Sequence, residues 1–361
     1  MAIHHRIAGK ILEISAPKGI KERARAFRHA LESEKRKIII YTDTDADGHG
    51  AGANLAVALE RLGKEVELRP VDRDNVEFDD PSAAYVLSDI APRKDIIARA
   101  KNAGVRVYYV DHHPPDEGWS DIVAEHLNSK ILEPEGKDWY HWNTSALVYL
   151  AFRDLLHDRS WLAAAGMHGD HADKGLAHKL FIRVHSKARA IAEVLGLAEH
   201  FPNEITDHEM GELAKSARHP DDILHHPKIG SLYRRFKEEV ERFVSDPKKH
   251  AAIWDESKKI MVLRLESSIR KIKSPVSSTL GDKYRDWIVI VCQPWEGKID
   301  CSLRAANWKE RNLHMGEWAR EFAAMSGGRG GGHPVAAGLK FPEEHWNSFI
   351  KWVKEKTKNL S

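Results

Sequence analysis

From Lys37 onward, short runs of β-branched and aromatic residues alternate with stretches of helical character, and three of the runs lead directly into aspartate-bearing turns. Parallel neighbours need a crossover long enough to return the chain to the same edge of a sheet, so this alternation predicts parallel strands joined by helices. The runs fall at Lys37–Tyr41, Val66–Val71, Ala84–Leu87 and Val105–Val110. Helices are expected at Gly50–Leu62, ended by Gly63, and at Arg93–Asn102, ended by Gly104. A further helix is expected over Thr144–Leu156, capped by Asn143 or Thr144, and another from about Trp161. The fold class is therefore α/β, with a doubly wound parallel-sheet domain over residues 1–175.

Beyond Leu176 the pattern turns helical, polar and rich in histidine, interrupted by Pro202, Pro220, Pro227 and Pro247, which predicts a helical connector over 176–257. Strands return at Ile260–Leu265, Trp287–Cys292 and Lys298–Leu303, followed by a helix at Gly316–Ala324 and a glycine-rich loop: a smaller C-terminal α/β domain over 258–361. With 361 residues and 42% hydrophobic content, each domain has material for a core. No apolar run approaches the roughly 20 residues of a membrane span, and Met1–Lys10 lacks the apolar stretch of a signal peptide, so a cytoplasmic protein with no membrane contact is expected. Cys292 and Cys301 flank a turn signal, Pro294–Gly297, and read as buried thiols in a hairpin.

Charge is nearly balanced, 56 basic against 54 acidic residues, so any polyanion contact must come from local patches. Two stand out, the segment Lys21–Lys37 with Arg23, Arg25, Arg28 and Arg36, and the run Arg270, Lys271, Lys273; both read equally as solvated helix faces. His4, His5, His126, His141, His178, His225 and His226 form no spaced ligand set and read as surface or packed residues. Trp139, Trp142, Trp295, Trp308 and Trp318 read as core in preference to base-stacking platforms.

The chemistry concentrates at strand ends. Directly after the first strand come Asp43, Asp45 and Asp47 at alternate positions; Asp89 follows the third run, and Asp111-His112-His113 the fourth. Ligands of open parallel sheets collect at the carboxyl ends of strands, so separate strands deliver acids and imidazoles to one crevice. Carboxylates this crowded raise one another's pKa, and a divalent cation keeps them ionised. Gly166-Met167-His168-Gly169-Asp170-His171 adds a further contribution. The Asp-x-Asp-x-Asp-Gly run resembles the start of a calcium loop, but the twelfth position from Asp43 is Asn54, not the closing glutamate, and the flanks are strand then helix. Mixed carboxylate and imidazole ligands suit manganese, zinc or iron, while magnesium prefers oxygen alone. Manganese is the favoured ion, with magnesium or cobalt as substitutes, and two ions about 3.5–4 Å apart, sharing one carboxylate, would position a water for in-line attack on phosphorus.

Asp45-Ala46-Asp47-Gly48, Asp89, Asp111-His112-His113 and Asp170, in that order, resemble the motifs of the DHH phosphoesterase superfamily. Gly327-Gly328-Arg329-Gly330-Gly331-Gly332-His333-Pro334 resembles the signature of its DHH-associated C-terminal domain, as in RecJ exonucleases and nanoRNases. The resemblance spans nearly the whole chain and is weakest in the connector. It implies that Asp45 and Asp47 each bind one metal, that Asp89 bridges both, and that His112 and Asp170 complete the second site. It further implies that Asp111 orients a histidine and that His113 faces the scissile phosphate or the first metal. Many members carry a histidine four residues before the first ligand aspartate; here that position is Tyr41, which leaves the first metal to rely on Asp43 or to be held more weakly. In the second domain the resemblance gives Ser302, Arg304, Gly330, Gly331, Gly332 and His333 the task of holding the substrate strand.

The expected function is a metal-dependent exonuclease or oligonucleotidase acting on single-stranded nucleic acid, yielding nucleoside monophosphates. The chain has no room for the extra oligonucleotide-binding domain of full-length bacterial RecJ, which favours short substrates. A small-substrate phosphatase, a cyclic-dinucleotide phosphodiesterase and an inactive replisome scaffold are the alternatives; inorganic pyrophosphatase is disfavoured by the Gly-Gly-Gly-His signature. A homodimer, or a replication or repair protein, is the expected protein partner.

Overall fold

The computed structural model describes residues 2–132, 142–172, 175–358 and 360; Trp139 and His141 lie outside the described residues. The chain divides into two compact units, Met1–Ser231 and Leu232–Ser361.

The first unit opens with two helices, α1 (Ala2–Ser15) and α2 (Lys18–Ser33), which precede the alternating region. There follow β1 (Ile38–Thr42), α3 (Ala46–Arg61), β2 (Val66–Pro70), β3 (Ala84–Ser88), α4 (Lys94–Ala103), β4 (Arg106–Asp111) and β5 (Val123–Asn128). Every pairing is parallel and the strand order is β2-β1-β3-β4-β5. The chain therefore reverses its direction of travel across the sheet between β1 and β3, and in this order the ligand crevice lies outside the carboxyl ends of those two strands. Successive side chains alternate between the faces. Ile39, Tyr41, Tyr85, Leu87, Val107 and Tyr109 pack with Ile96, Ile97 and Ala100 of α4 on one side, while Thr42 meets α3 at Gly52 on the other.

The rest of this unit is helical: α5 (Ser129–Leu132), α6 (Thr144–Phe152), α7 (Ser160–Gly169), α8 (Leu176–Arg183), α9 (Ala188–Leu195), α10 (Leu197–His200), α11 (Asp207–Ser216) and α12 (Pro220–Leu224). Helix α3 is buried along almost its whole length, against β1 and β2 and under α6, α7 and α11. Its alanines and glycines make this close packing possible. The expected connector over 176–257 is helical at first, but α8 packs on α1 and α7, and α11 on α3 and β2. Those helices belong to the first compact unit, and the division falls at Ser231/Leu232, inside α13 (Pro227–Val244).

The second unit holds a six-stranded sheet of β6 (Ala251–Asp255), β7 (Ile260–Arg264), β8 (Ile288–Trp295), β9 (Lys298–Ala305), β10 (Arg329–Gly332) and β11 (Ala336–Pro342). The order is β10-β11-β9-β8-β7-β6, with β7 and β8 parallel and the other pairs antiparallel. Helices α15 (Met315–Ser326) and α16 (Trp346–Lys356) cover one face over a core of Ile299, Cys301, Leu303, Phe322, Phe341 and Phe349. Helix α14 (Lys273–Lys283) packs against β8 and β9. Cys292 and Cys301 are free, buried thiols opposite one another across β8 and β9. Trp142 and Trp318 are buried, and Trp308 packs against the second core.

Two expectations need correction. The glycine-rich segment is not an irregular loop: Arg329–Gly332 is a strand, β10, paired antiparallel with β11. A Cβ on Gly330 would lie 2.4 Å from the Ala319 carbonyl oxygen of α15, and Gly332 has φ 140°, so these two glycines let α15 seat on the strand. Helix α3 also begins at Ala46, four residues before the expected Gly50, which places two of the three alternating aspartates on the helix start. Among the described residues no helix is long and apolar enough to cross a membrane.

Candidate active site

The acids of the first unit converge because four elements start or end at one place. Asp43 follows β1; Asp45 caps α3, its Oδ1 accepting from the Gly48 N–H at 2.9 Å. Asp47 lies in the first turn of α3 and is fully buried. The N-terminus of α6 grips it: the Thr144 N–H donates to Asp47 Oδ2 at 2.9 Å and the Ser145 N–H to Oδ1 at 2.8 Å. Free N–H groups at a helix start favour negative charge, so α6 acts as an anion clamp inside the protein. Close approach is enforced by glycine. A Cβ on Gly166 of α7 would lie 2.0 Å from Ser145 Oγ and 3.0 Å from Asp47 Oδ1.

Asp89 follows β3 with φ 62°, a left-handed conformation that aspartate tolerates better than most residues. It is buried, and its Oδ1 accepts from Thr144 Oγ1 at 2.7 Å. Asp111, at the end of β4, is wholly buried and organises the turn beyond it: its Oδ1 accepts from the N–H groups of His112 and His113, at 2.6 and 3.0 Å, and lies 2.9 Å from His113 Nδ1. Tyr109 donates to the other carboxylate oxygen at 3.1 Å. His112 stands among three carboxylates, its Nε2 3.0 Å from Asp170, 3.6 Å from Asp89 and 3.9 Å from Asp47. Asp170 itself directly follows α7.

The donor atoms gather in overlapping groups, within each of which they lie no more than 4.8 Å apart: Asp43, Asp45 and Asp89; Asp47, His112 and Asp170; and Asp89, Asp111, His112 and His113. Asp89 is shared by the first and third groups and His112 by the second and third, with 3.6 Å between His112 Nε2 and Asp89. Burial and the neighbouring carboxylates hold Asp47 and Asp89 well above the usual aspartate range. Burial works against a charged His112, but the Asp170 and Asp47 carboxylates outweigh it and push the ring up to about 9. His112 Nε2 and Asp170 Oδ2 are buried without the alignment of a hydrogen bond to any partner. Crowded acids and a ring drawn towards its charged form fit a divalent cation, which would supply the missing positive charge.

Asp43 is less free than the sequence suggests, because its Oδ2 accepts from Arg73 Nε and Nη2 at 2.9 and 2.7 Å. Tyr41, at the position expected for histidine, faces the α4 side of the sheet, and its hydroxyl donates to the Glu77 carbonyl at 2.5 Å, so it takes no part in the cluster. Sequence reasoning missed Arg73, Thr144 and Ser145. The only signal for the last two was the Asn143 cap, which the structure confirms through Asn143 Oδ1 accepting from the Ala146 N–H at 3.2 Å.

In the second unit, register aligns Gly331, Gly338 and Ser302 across β10, β11 and β9. Ser302 and Arg304 lie on the face opposite Cys301 and Leu303. Arg304 reaches α14, its Nη2 donating to Ser278 Oγ at 2.8 Å and its Nε to Ser277 Oγ at 3.2 Å. Both partners are neutral, and burial draws the guanidinium below its usual range. A Cβ on Gly331 or Gly338 would meet nothing within 4 Å, and His333 is exposed. The basic segments are largely committed elsewhere: Arg23 pairs with Glu125, Arg28 with Glu32 and Asp154, Arg36 with Glu34, and Lys273 with Asp300. His178 is buried against Trp142, and His225 remains exposed.

Comparison with known proteins follows the same division. Residues 257–359 match the DHHA1 domain family. No curated protein matches the sequence. Among solved structures, the DHH domain of a member of a ribosomal-protein family superposes with a TM-score of 0.69 at 17% identity, over 95% of this chain and 91% of that one. RecJ from Thermus thermophilus, in complex with Mn2+, gives a TM-score of 0.66 at 19% identity over 95% of this chain; the present chain spans 55% of its length. A pGpG-specific phosphodiesterase from Vibrio gives 0.54 at 13% identity, over 91% of this chain and all of the other. Residues 257–359 thus match a DHHA1 domain, and the chain shares the fold of RecJ over nearly its whole length.

Proposed function

We propose that the protein is a metal-dependent phosphodiesterase that removes nucleotides from single-stranded nucleic acid, with short oligonucleotides as its preferred substrates. The observation that carries this reading is that Asp89 belongs to two donor groups, one with Asp43 and Asp45 and one with Asp111, His112 and His113, and that His112 also belongs to the group of Asp47 and Asp170. Asp43, Asp45 and Asp89 would hold one divalent ion, and Asp47, Asp89, His112 and Asp170 a second, with manganese the favoured ion and magnesium or cobalt able to substitute. When bound, such ions supply an activated water and neutralise charge on the phosphoryl oxygens. RecJ from Thermus thermophilus has been solved with Mn2+ and with Mg2+, which supports a divalent ion here.

The chain's own groups do the positioning. Backbone N–H groups of α6 fix Asp47, and the Thr144 hydroxyl fixes Asp89, so neither carboxylate must reorganise when an ion arrives. Asp111 holds Nδ1 of His113, which leaves Nε2 as the ring atom able to meet a phosphoryl oxygen or a water. In the second unit Arg304, which forms no ion pair among the described residues, and the open sheet face at Gly331 suit a phosphate backbone.

The same fold serves a pGpG-specific phosphodiesterase, so substrate length is the axis to vary. Timed digestion of end-labelled DNA and RNA from dinucleotide upward, with Mn2+, should release mononucleotides fastest from the short oligomers, and chelator should stop the reaction. Cleavage of a dinucleotide alone would favour the small-substrate alternative. No hydrolysis of any substrate with Mn2+, Mg2+ or Co2+ would favour a scaffold.

A further inference from the structure

Helices α3 and α7 carry chemistry at both ends. Asp47 and Asp170 stand at one end of each, whereas Arg61 at the other end of α3 and Trp161 at the start of α7 line a cavity of about 900 Å3. At about 1.5 Å of rise per residue, Arg61 lies about 21 Å from Asp47 along α3, and Trp161 about 13 Å from Asp170 along α7. The cavity is therefore separate from the acidic cluster, and none of its lining residues belongs to that cluster.

Two buried polar atoms of its lining have no partner. Trp161 is 5% exposed and its Nε1 lacks an acceptor; His185 is 6% exposed and its Nε2 is unpaired. Burial pushes His185 down to about 3, so the ring is neutral, and it lies against His5, with centroids 4.1 Å apart and the rings tilted by 39°. Val184, Ile191 and Pro220 supply apolar wall. The mouth is cationic. Arg61 pairs with Asp158 and Lys187 with Asp221, whereas the guanidinium groups of Arg6 and Arg218 form no ion pair among the described residues, Asp222 accepting from the Arg218 backbone N–H at 2.8 Å. Arg218 is also well placed by the backbone before it: Arg159, just ahead of α7, donates to the Ala217 and Ala214 carbonyls at 2.6 and 2.7 Å.

Unpaired guanidinium groups suit phosphate oxygens, which they can meet with two parallel N–H donors. The volume falls in the range of about 300–1,000 Å3 typical of small-molecule sites and far exceeds the needs of a bare phosphate. A planar apolar body with polar edges would use both the aromatic lining and the two orphaned nitrogens. We infer that this cavity is a second ligand site, for a nucleoside phosphate whose phosphates lie at Arg6 and Arg218 and whose base packs towards Trp161 and His185. The inference does not rest on the hydrolase reading.

That chemistry is offered both by a free nucleotide and by the phosphorylated end of a strand. The test is calorimetric titration of the full chain in chelator with ADP, with a 5′-phosphorylated pentanucleotide and with inorganic phosphate. Saturable binding of ADP or the pentamer is expected, weakened about ten-fold or more by Arg6→Ala and by Arg218→Ala, both exposed positions. Asp89→Asn should leave it unchanged. ADP binding alone assigns the site to a free nucleotide, and pentamer binding with the same losses assigns it to a strand end. The inference is overturned if neither binds, if binding ignores both arginine substitutions, or if inorganic phosphate binds as tightly as ADP.

Discussion

The acidic cluster of the first unit and the glycine-bearing sheet face of the second are built on opposite plans. In the cluster Asp47, Asp89 and Asp111 are almost completely buried, and each accepts at least one hydrogen bond from backbone or hydroxyl. Around Ser302, Arg304 and Gly331 the sheet is partly open, and the guanidinium donates to the hydroxyls of Ser277 and Ser278. Burying like charges together is costly without a counter-ion, whereas a half-buried guanidinium held by neutral hydroxyls bears a smaller penalty, which an anion would relieve. The contrast suits a division of labour, with bond cleavage in the rigid acidic site and strand holding on the open face.

Substitution at the shared acid should produce the largest effect. Asp89→Asn keeps the shape and the Thr144 contact but removes a charge shared by two donor groups. Turnover of a short oligomer with Mn2+ should fall by about three orders of magnitude or more. The melting temperature in chelator should not fall, because repulsion from Asp45, Asp47, Asp111 and Asp170 is relieved. A near-normal rate in a folded Asp89→Asn protein would break the contrast at its strongest point.

Next comes competition between protons and metal. Without an ion, His112 holds its proton up to about pH 9, so a metal that takes Nε2 must displace that proton. Mn2+ affinity should therefore rise with pH up to about 9, where the folded ring loses its proton. His112→Ala should flatten the profile, and calorimetry at several pH values measures both. An unchanged slope in that variant would remove His112 from the site.

On the open face the effects should be smaller and should appear in KM. Loss of a charge-assisted hydrogen bond costs roughly 1.5–3 kcal/mol, so Arg304→Ala should raise KM for di- to pentanucleotides by about ten-fold or more, with kcat and Mn2+ affinity little altered. His333→Ala should act in the same direction. Reduced Mn2+ affinity in either variant would contradict the separation of roles.

The finest test lies within the glycines. Gly331→Ala, where a Cβ meets nothing, should leave the melting temperature unchanged and raise KM modestly. Gly330→Ala, where a Cβ would lie 2.4 Å from the Ala319 carbonyl, should lower the melting temperature by several degrees. Equal destabilisation in thermal melts of the two variants would show the face to be purely structural.

Much of this was readable before any coordinates. The strands β1, β3 and β4 lie within a residue or so of their apolar runs, because a strand buried on both faces writes its length in near-continuous Ile, Val, Leu and Tyr, and the edge strand β2 shows in the alternation Val-Glu-Leu-Arg. Strand β5 escaped notice because Val-Ala-Glu-His-Leu-Asn, at the sheet edge, carries no such run. The early start of α3 was hidden by Gly48 and Gly50, poor helix formers retained where Gly48 passes against the Asp43 carbonyl and Gly50 against Ser145 and Leu162. The positions of Asp89 and Asp111 were legible as strand ends. The supports of the cluster were not: the backbone N–H groups of Thr144 and Ser145 leave no mark on residue identity, and the grip of Arg73 on Asp43 depends on tertiary approach.

The central claim, that the acids grouped around Asp89 hold divalent ions, is tested most directly by calorimetric titration of Mn2+ into chelator-stripped protein. The account predicts two ions per chain, with Asp89→Asn weakening both and Arg304→Ala weakening neither. Binding of no ion, or of ions indifferent to Asp89, would contradict it.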